Sequence, residues 1–231
     1  MIKLYDGIID LHNHSTFSDG DHSIEELIDN AVKVNIDVIG ITDHYEKIED
    51  LSGYIETLNK VISKHQKMIK IVKGVELKAT TFFNLSTSDF LRINQLDYIL
   101  IEDCEYYRSI YDFIEKAKMI LPHIKVKVGI AHIDLKVVNH KYGLKGINAF
   151  MGFLENYKIF FEINSSFSNE FYDRLLYSND NEVETLFSSI KNYSIEISIG
   201  SDTHMCTKED HLRRLRANQF VDLLVKKASR S

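Results

Sequence analysis

Cysteine occurs only twice in the 231 residues, at Cys104 and Cys206, and proline only once, at Pro122. Two cysteines cannot supply a disulfide framework. Long hydrophobic runs are missing as well: none approaches the roughly 18 apolar residues that a membrane-spanning helix needs. The opening residues carry Asp6 and His12 inside any would-be apolar segment, so they do not read as a signal peptide. Low-complexity linkers and internal repeats are also lacking, and nothing marks an interdomain boundary, so one domain over 1–231 is expected. An excess of positive charge is absent too. Lys and Arg number 28 against 34 Asp and Glu, a net charge of −6, which speaks against a general nucleic-acid or polybasic membrane binder. Together these absences suggest a cytoplasmic protein with neither membrane nor nucleic acid as a partner. A phosphorylated small molecule stays compatible with the acidic balance, because bound metal ions reverse the local sign.

What is present is a series of short apolar runs separated by helical periodicity. The runs are Ile8–His12, Asp37–Thr42, Ile69–Leu77, Leu96–Ile101, Lys127–Ala131, Ile159–Ile163 and Ser194–Gly200. Between them, Ser23 and Glu26 form a capping-box pattern before Ile24, Leu27, Ile28, Ala31 and Val32. Further helices are expected over 52–66, 107–121, 147–157, from Glu170, over 182–191 and over 208–227. The stretch 78–94 reads as an excursion at the rim. Near-continuous apolar strands alternating with helices imply an α/β fold with a parallel sheet covered by helices.

Each run ends in a side chain suited to binding metal. His12 and His14 follow the first, His44 the second, Glu76 the third, Cys104 the fourth, His132 the fifth, Asn164 the sixth, and Asp202 with His204 the seventh. Imidazole, carboxylate and thiolate are the ligand types of Zn²⁺ and neighbouring transition ions. In an open sheet the outer strand ends lie too far apart to cooperate. A barrel brings them to one face, so a distorted seven-stranded (β/α)7 barrel related to the eight-stranded one is expected.

The set His12-Asn13-His14, Ser18-Asp19-Gly20, Thr42-Asp43-His44, Gly74-Val75-Glu76, Ala131-His132 and Gly200-Ser201-Asp202-Thr203-His204 resembles the PHP family, the polymerase and histidinol phosphatase domain. The resemblance runs in order over essentially the whole chain. It implies a distorted seven-stranded barrel with two or three divalent ions, Zn, Fe or Mn. One ion would be held by His12, His14, Glu76 and Asp202, with Glu76 bridging. A second would use Glu76, position 104 and His132, and a third Asp19, His44 and His204. Position 104 departs from the family, which usually has histidine there. Cys104 as a thiolate ligand, replacement by Glu102 or Glu105, or a degraded site remain open. A thiolate would tilt that ion toward Zn²⁺ or Fe²⁺ and away from Mn²⁺.

The segments around Asp134 and Phe161-Glu162-Ile163-Asn164-Ser165-Ser166 look most like the histidinol-phosphatase branch. That likeness implies hydrolysis of a small phosphomonoester by a metal-activated hydroxide, with Asp134 as candidate proton donor beside Asp202 and His204. Hydrolysis of nucleotides or nucleic-acid ends, or a metal-binding regulatory module without catalysis, are the alternatives. Arg108, Asn164 and Arg174 are candidate phosphate contacts. Asp10, Asn13 and Asp43 are candidates to orient the histidines. His22 and His140 are expected in loops near the site and His65 on a helix. The cluster His211, Arg213, Arg214 and Arg216 reads as a solvated helix face.

Overall fold

The computed structural model describes residues 1–178 and 180–228. All of its strand pairing is parallel. In chain order the elements are β1 (Ile2–Lys3), β2 (Ile9–Asp10), α1 (Ile24–Lys33), β3 (Val38–Ile41), α2 (Leu51–His65), β4 (Lys70–Lys73) and β5 (Glu76–Lys78). Then come α3 (Ala79–Phe82), α4 (Thr87–Ile93), β6 (Tyr98–Glu102), α5 (Ile110–Ile120), β7 (Lys127–Ile130) and α6 (Leu135–Tyr157). The chain closes with β8 (Phe160–Asn164), α7 (Glu170–Tyr177), α8 (Asn181–Ile190), β9 (Glu196–Gly200) and α9 (Lys208–Ala228).

The strands form a six-stranded sheet, β1-β9-β8-β7-β6-β5, and a three-stranded sheet, β2-β3-β4. This differs from one continuous seven-stranded ladder, for two local reasons. The expected third strand is broken at Gly74, whose carbonyl accepts from the Tyr54 hydroxyl at 2.8 Å. Backbone bonds still cross the break, from Gly74 to Ile41 at 2.8 Å and from Leu100 to Val75 at 2.9 Å. At the other seam the additional strand β1 pairs with the start of β9. The Asn218 side chain of α9 bonds both Ile9 N, at 3.0 Å, and Ile9 O, at 2.9 Å. Only beyond that point does Leu11 N reach Ile199 O, at 2.8 Å. A two-residue strand such as β1 carries no periodicity by which it could be read in advance.

The helices follow their amphipathic pattern. The Ser23–Glu26 capping box is formed, and Ile24, Leu27, Ile28 and Ala31 face the core. The 78–94 stretch holds the short helices α3 and α4. The helix expected over 147–157 extends back to Leu135 as α6, with a break at Gly143, at φ 62° and ψ −170°. The strands bury mainly apolar side chains, and fully buried polar ones, including Asp10, Glu162 and Ser198, lie among them. Tyr98 sends its hydroxyl 2.5 Å to Leu11 O, across Gly40, whose added Cβ would sit 1.9 Å from that hydroxyl.

Candidate metal centre

Beyond β2 the chain places His12 and His14, both fully buried, with their Nε2 atoms 3.0 Å apart. His12 Nδ1 lies 2.9 Å from Glu162 Oε2. A carboxylate only accepts, so Glu162 keeps a proton on Nδ1 and turns Nε2 toward the cluster. Gly200 makes this pairing possible. A Cβ there would lie 2.5 Å from His12 Cβ and 2.6 Å from Glu162 Oε2.

Glu76 sits at the centre. Its Oε1 is 3.2 Å from His12 Nε2 and 3.1 Å from His132 Nε2, and its Oε2 is 3.5 Å from His14 Nε2 and 3.1 Å from His44 Nδ1. Asp202 Oδ1 is 3.2 Å from His14 Nε2 and 3.6 Å from His12 Nε2. Asp19 lies between His204 Nε2, at 3.3 Å, and His44 Nε2, at 3.6 Å. The ligand atoms fall into four groups, each within 4.8 Å: His14-Asp19-His44-His204, His12-His14-Asp202, His12-Glu76-His132 and His44-Glu76-Glu102. His132 at φ 26° and Asp202 at φ 55° both hold backbone conformations that L residues adopt at a cost. Such strain persists where the surroundings over-determine it, and both residues point into this cluster.

The electrostatics are those of carboxylates and imidazoles holding one another's charge. Burial lowers the His132 pKa, but hydrogen bonding to and charge pairing with Glu76 outweigh it and push it up to about 10. Burial raises Asp202, yet the His12 charge and the His14 hydrogen bond bring it down to about 2. Glu102 goes the other way. Burial first, then the negative neighbours Glu76 and Asp103, push it up to about 7. The donor set fits divalent ions. Neutral imidazoles and carboxylates are the required ligands, and His14 Nδ1 and Glu102 Oε1 are buried without a hydrogen-bond partner.

Eight of the nine positions read from the sequence as metal ligands are brought together. Cys104 is not among them. Asp103 takes a left-handed conformation at φ 62° and turns the chain, so the buried Cys104 thiol points back toward Ile101 O at 3.6 Å. Burial, then the charges of Glu105, Asp103 and Glu102, hold that thiol well above its ordinary pKa. Glu102 enters the cluster instead.

The remaining candidates fall elsewhere. Asp134 caps α6, accepting from Lys136 N at 2.7 Å. Asn164 is buried and donates to Glu162 Oε1 at 2.8 Å, so it steadies a neighbour of His12. Arg174 is held on the surface by Glu170 at 2.5 Å and Asp180 at 3.2 Å, and Arg108 is exposed after β6. Asp43 binds Ser15 and Ser18 rather than a histidine, and Asn13 bonds backbone carbonyls of Asp10 and Gly40. His65 is buried against Val61 O and Asp29.

The solvated face holds for exposed Arg216 but is overturned for its two neighbours. Arg213 and Arg214 are buried. Arg213 donates to Ser165 O at 2.8 Å and pairs with Asp173 at 2.8 Å, while Arg214 meets fully buried Asp10 at 2.5 Å. Asp10 in turn accepts from Ser201 N at 2.9 Å and Ser201 Oγ at 2.7 Å. Charged residues with helical spacing read as surface because the sequence does not show the loops that α9 covers. Glu162, which pairs with His12, is a further functional residue that the sequence motifs do not single out. The available signal was a glutamate inside an apolar strand, on the same face as Asn164, where burial demands a partner.

Comparison with known proteins agrees with this geometry. The family model described as PHP domain matches residues 10–218. Among curated proteins, the 5'-3' exoribonuclease Rnm of Escherichia coli (strain K12) is 34% identical over 73 residues, covering 32% of this chain and 23% of that protein. The DNA polymerase/3'-5' exonuclease PolX of Bacillus subtilis is 28% identical over 137 residues, 54% of this chain and 22% of that protein. The chain thus spans under a quarter of the length of these curated relatives. Among solved structures, the histidinol phosphate phosphatase of Lactococcus lactis, in complex with zinc, L-histidinol and phosphate, matches with a TM-score of 0.63 at 17% identity. That match covers 95% of this chain and 93% of the other. A putative histidinol phosphatase from Listeria monocytogenes matches with a TM-score of 0.56 at 14% identity, over 85% and 95% of the two chains. At such identities the likeness concerns the fold.

Proposed function

This chain belongs to the PHP domain family, and on that premise we propose that it is a metal-dependent phosphoesterase acting on a small phosphomonoester, in the manner of a histidinol-phosphate phosphatase. One observation carries the reading: imidazoles from His12, His14, His44, His132 and His204 and carboxylates from Asp19, Glu76, Glu102 and Asp202 form four overlapping groups, the ligand atoms of each lying within 4.8 Å of one another. In this reading the two sheets, bonded across both seams, form one interrupted seven-position barrel, with β1 as an addition. Divalent ions bound there would acidify water and neutralise phosphoryl oxygens, the two requirements of phosphoester hydrolysis.

The chain's own residues would do the rest. His12, His14 and Asp202 would hold one ion, Glu76 and His132 a second, and Asp19, His44 and His204 a third, with Glu76 shared. Glu162 keeps the His12 ring in one orientation. Lys47, 2.5 Å from Asp19 and half exposed, puts a cation beside this cluster for an anionic substrate to meet. Asp134 caps a helix and stands on the rim as a weaker candidate for proton donation than solvent. The test is phosphate release from histidinol phosphate and a panel of phosphomonoesters, before and after complete removal of metal. Release that survives stripping overturns the reading.

A second reading, hydrolysis of nucleotides or nucleic-acid ends, draws on the exoribonuclease relative and on one local observation. Tyr106, 62% exposed, and Phe167, 73% exposed, flank the strand ends of β6 and β8. Lys141 lies 5.5 Å from the first ring and Arg213 5.3 Å from the second. Exposed rings backed by cations are stacking platforms for bases. Faster turnover of nucleotides or oligonucleotides than of histidinol phosphate would favour it. Among the described residues no helix is long and apolar enough to cross a membrane.

A further inference from the structure

The end of β6 carries a side chain that the three ion sets above leave without a role. Glu102 is 8% exposed, and its Oε1 is buried with no hydrogen-bond partner. That oxygen lies 3.6 Å from His44 Nδ1 and groups with His44 and Glu76 in one of the four constellations. A desolvated carboxylate oxygen without a donor is unfavourable, and here a second carboxylate, Glu76, lies beside it. A divalent cation shared between them would satisfy both.

The backbone explains why this residue faces inward. In an uninterrupted strand, positions 102 and 104 would share a face. The left-handed residue Asp103 breaks that alternation at φ 62°, and the following turn Cys104–Tyr106 folds the thiol into the core, 1% exposed. Only Glu102 is left on the cluster side.

We propose that Glu102, and not Cys104, is the ligand that β6 contributes, completing an oxygen-rich corner with Glu76 beside His44. A carboxylate there weights the corner toward oxygen-preferring ions such as Mn²⁺, relative to the Zn²⁺ that a thiolate would select. The assignment rests on the metal-dependent reading above.

The test uses the full chain and two readouts that need no turnover: ions retained per chain by elemental analysis, and Mn²⁺ binding followed by electron paramagnetic resonance. Glu102→Gln is expected to lose about one ion per chain or to bind Mn²⁺ at least ~10-fold more weakly. Cys104→Ser is expected to match the wild type. Glu102→His, which restores a ligand, should keep the ion number while raising the preference for Zn²⁺ over Mn²⁺ about tenfold. If Glu102→Gln fails to fold, the Glu102→His preference decides alone, and an unchanged ratio overturns the proposal. Identical ion content and Mn²⁺ affinity in Glu102→Gln and the wild type, with metal-dependent phosphate release intact, overturns this assignment and spares the phosphoesterase reading. A wild-type chain that takes up no divalent ion overturns both.

Discussion

The two sides of the cluster are built differently. On the β2–β9 side the protein braces the ligands, His12 through its ring and His14 and Asp202 through their backbone. Glu162 holds His12, Asp202 N donates to His12 O at 2.8 Å, and His14 N donates to Thr203 O at 2.9 Å. Behind them Ser201, Asp10 and Arg214 form a buried, bonded chain anchored in α9. On the β6 side Glu102 Oε1 and Glu105 Oε2 are buried without partners, and the turn between them runs through a left-handed residue. The first side is preorganised by hydrogen bonds, whereas the second has negative charge that its surroundings do not offset. Preorganisation fixes where an ion sits, and uncompensated carboxylates raise how strongly it is held.

Four substitutions would break or sharpen this contrast. The largest effect is expected at the shared centre. Glu76→Ala removes the carboxylate that touches both sides, and phosphate release should fall roughly 10³-fold or more, as when a principal electrostatic group is lost. Ion content near the wild-type level in that variant would contradict the central role.

Next comes the braced side. Arg214→Ala leaves Asp10, which is fully buried, without its guanidinium. Stripping one partner from a buried pair costs about 3–5 kcal/mol, which should show as a lowered midpoint in urea unfolding of the metal-free chain. A change below about 1 kcal/mol would mean that water replaces the arginine.

Gly200→Ala should cost about 1–3 kcal/mol by overpacking and loosen metal binding with it, because the added methyl collides with both His12 and Glu162. Unaltered Mn²⁺ affinity would show that the pair can shift without losing its ion. Glu162→Gln probes the same pair with little change in volume. Metal affinity is expected to drop about 10- to 100-fold, and a titration that superimposes on the wild type would remove Glu162 from the orienting role.

The strand-end ligands were readable from the sequence because their signal is local. A short apolar run followed at once by His12, His44, Glu76, His132 or Asp202 gives both the element and the chemistry within a few residues. Cys104 misled for the same reason. Counting along a strand assumes that alternation continues, and Asp103 ends it. Glu162 and the arginines of α9 stayed hidden because their partners are remote: Glu162 lies 150 residues from His12 and Arg213 lies 48 from Ser165. A charge in a helix reads as solvated until its covering loops are known. The division into two sheets was equally unreadable, since it depends on Asn218 reaching Ile9 across 209 residues.

By itself the sequence determined the parallel α/β framework, the order of strand ends and the ligand types that each end presents, since periodicity and residue chemistry are properties of neighbours along the chain. Tertiary structure alone decided which of those groups meet, which oxygen lacks a partner and which side of the cluster is braced. Those outcomes depend on distances of 3–4 Å between residues far apart in sequence, and on backbone turns at single positions that no local pattern announces.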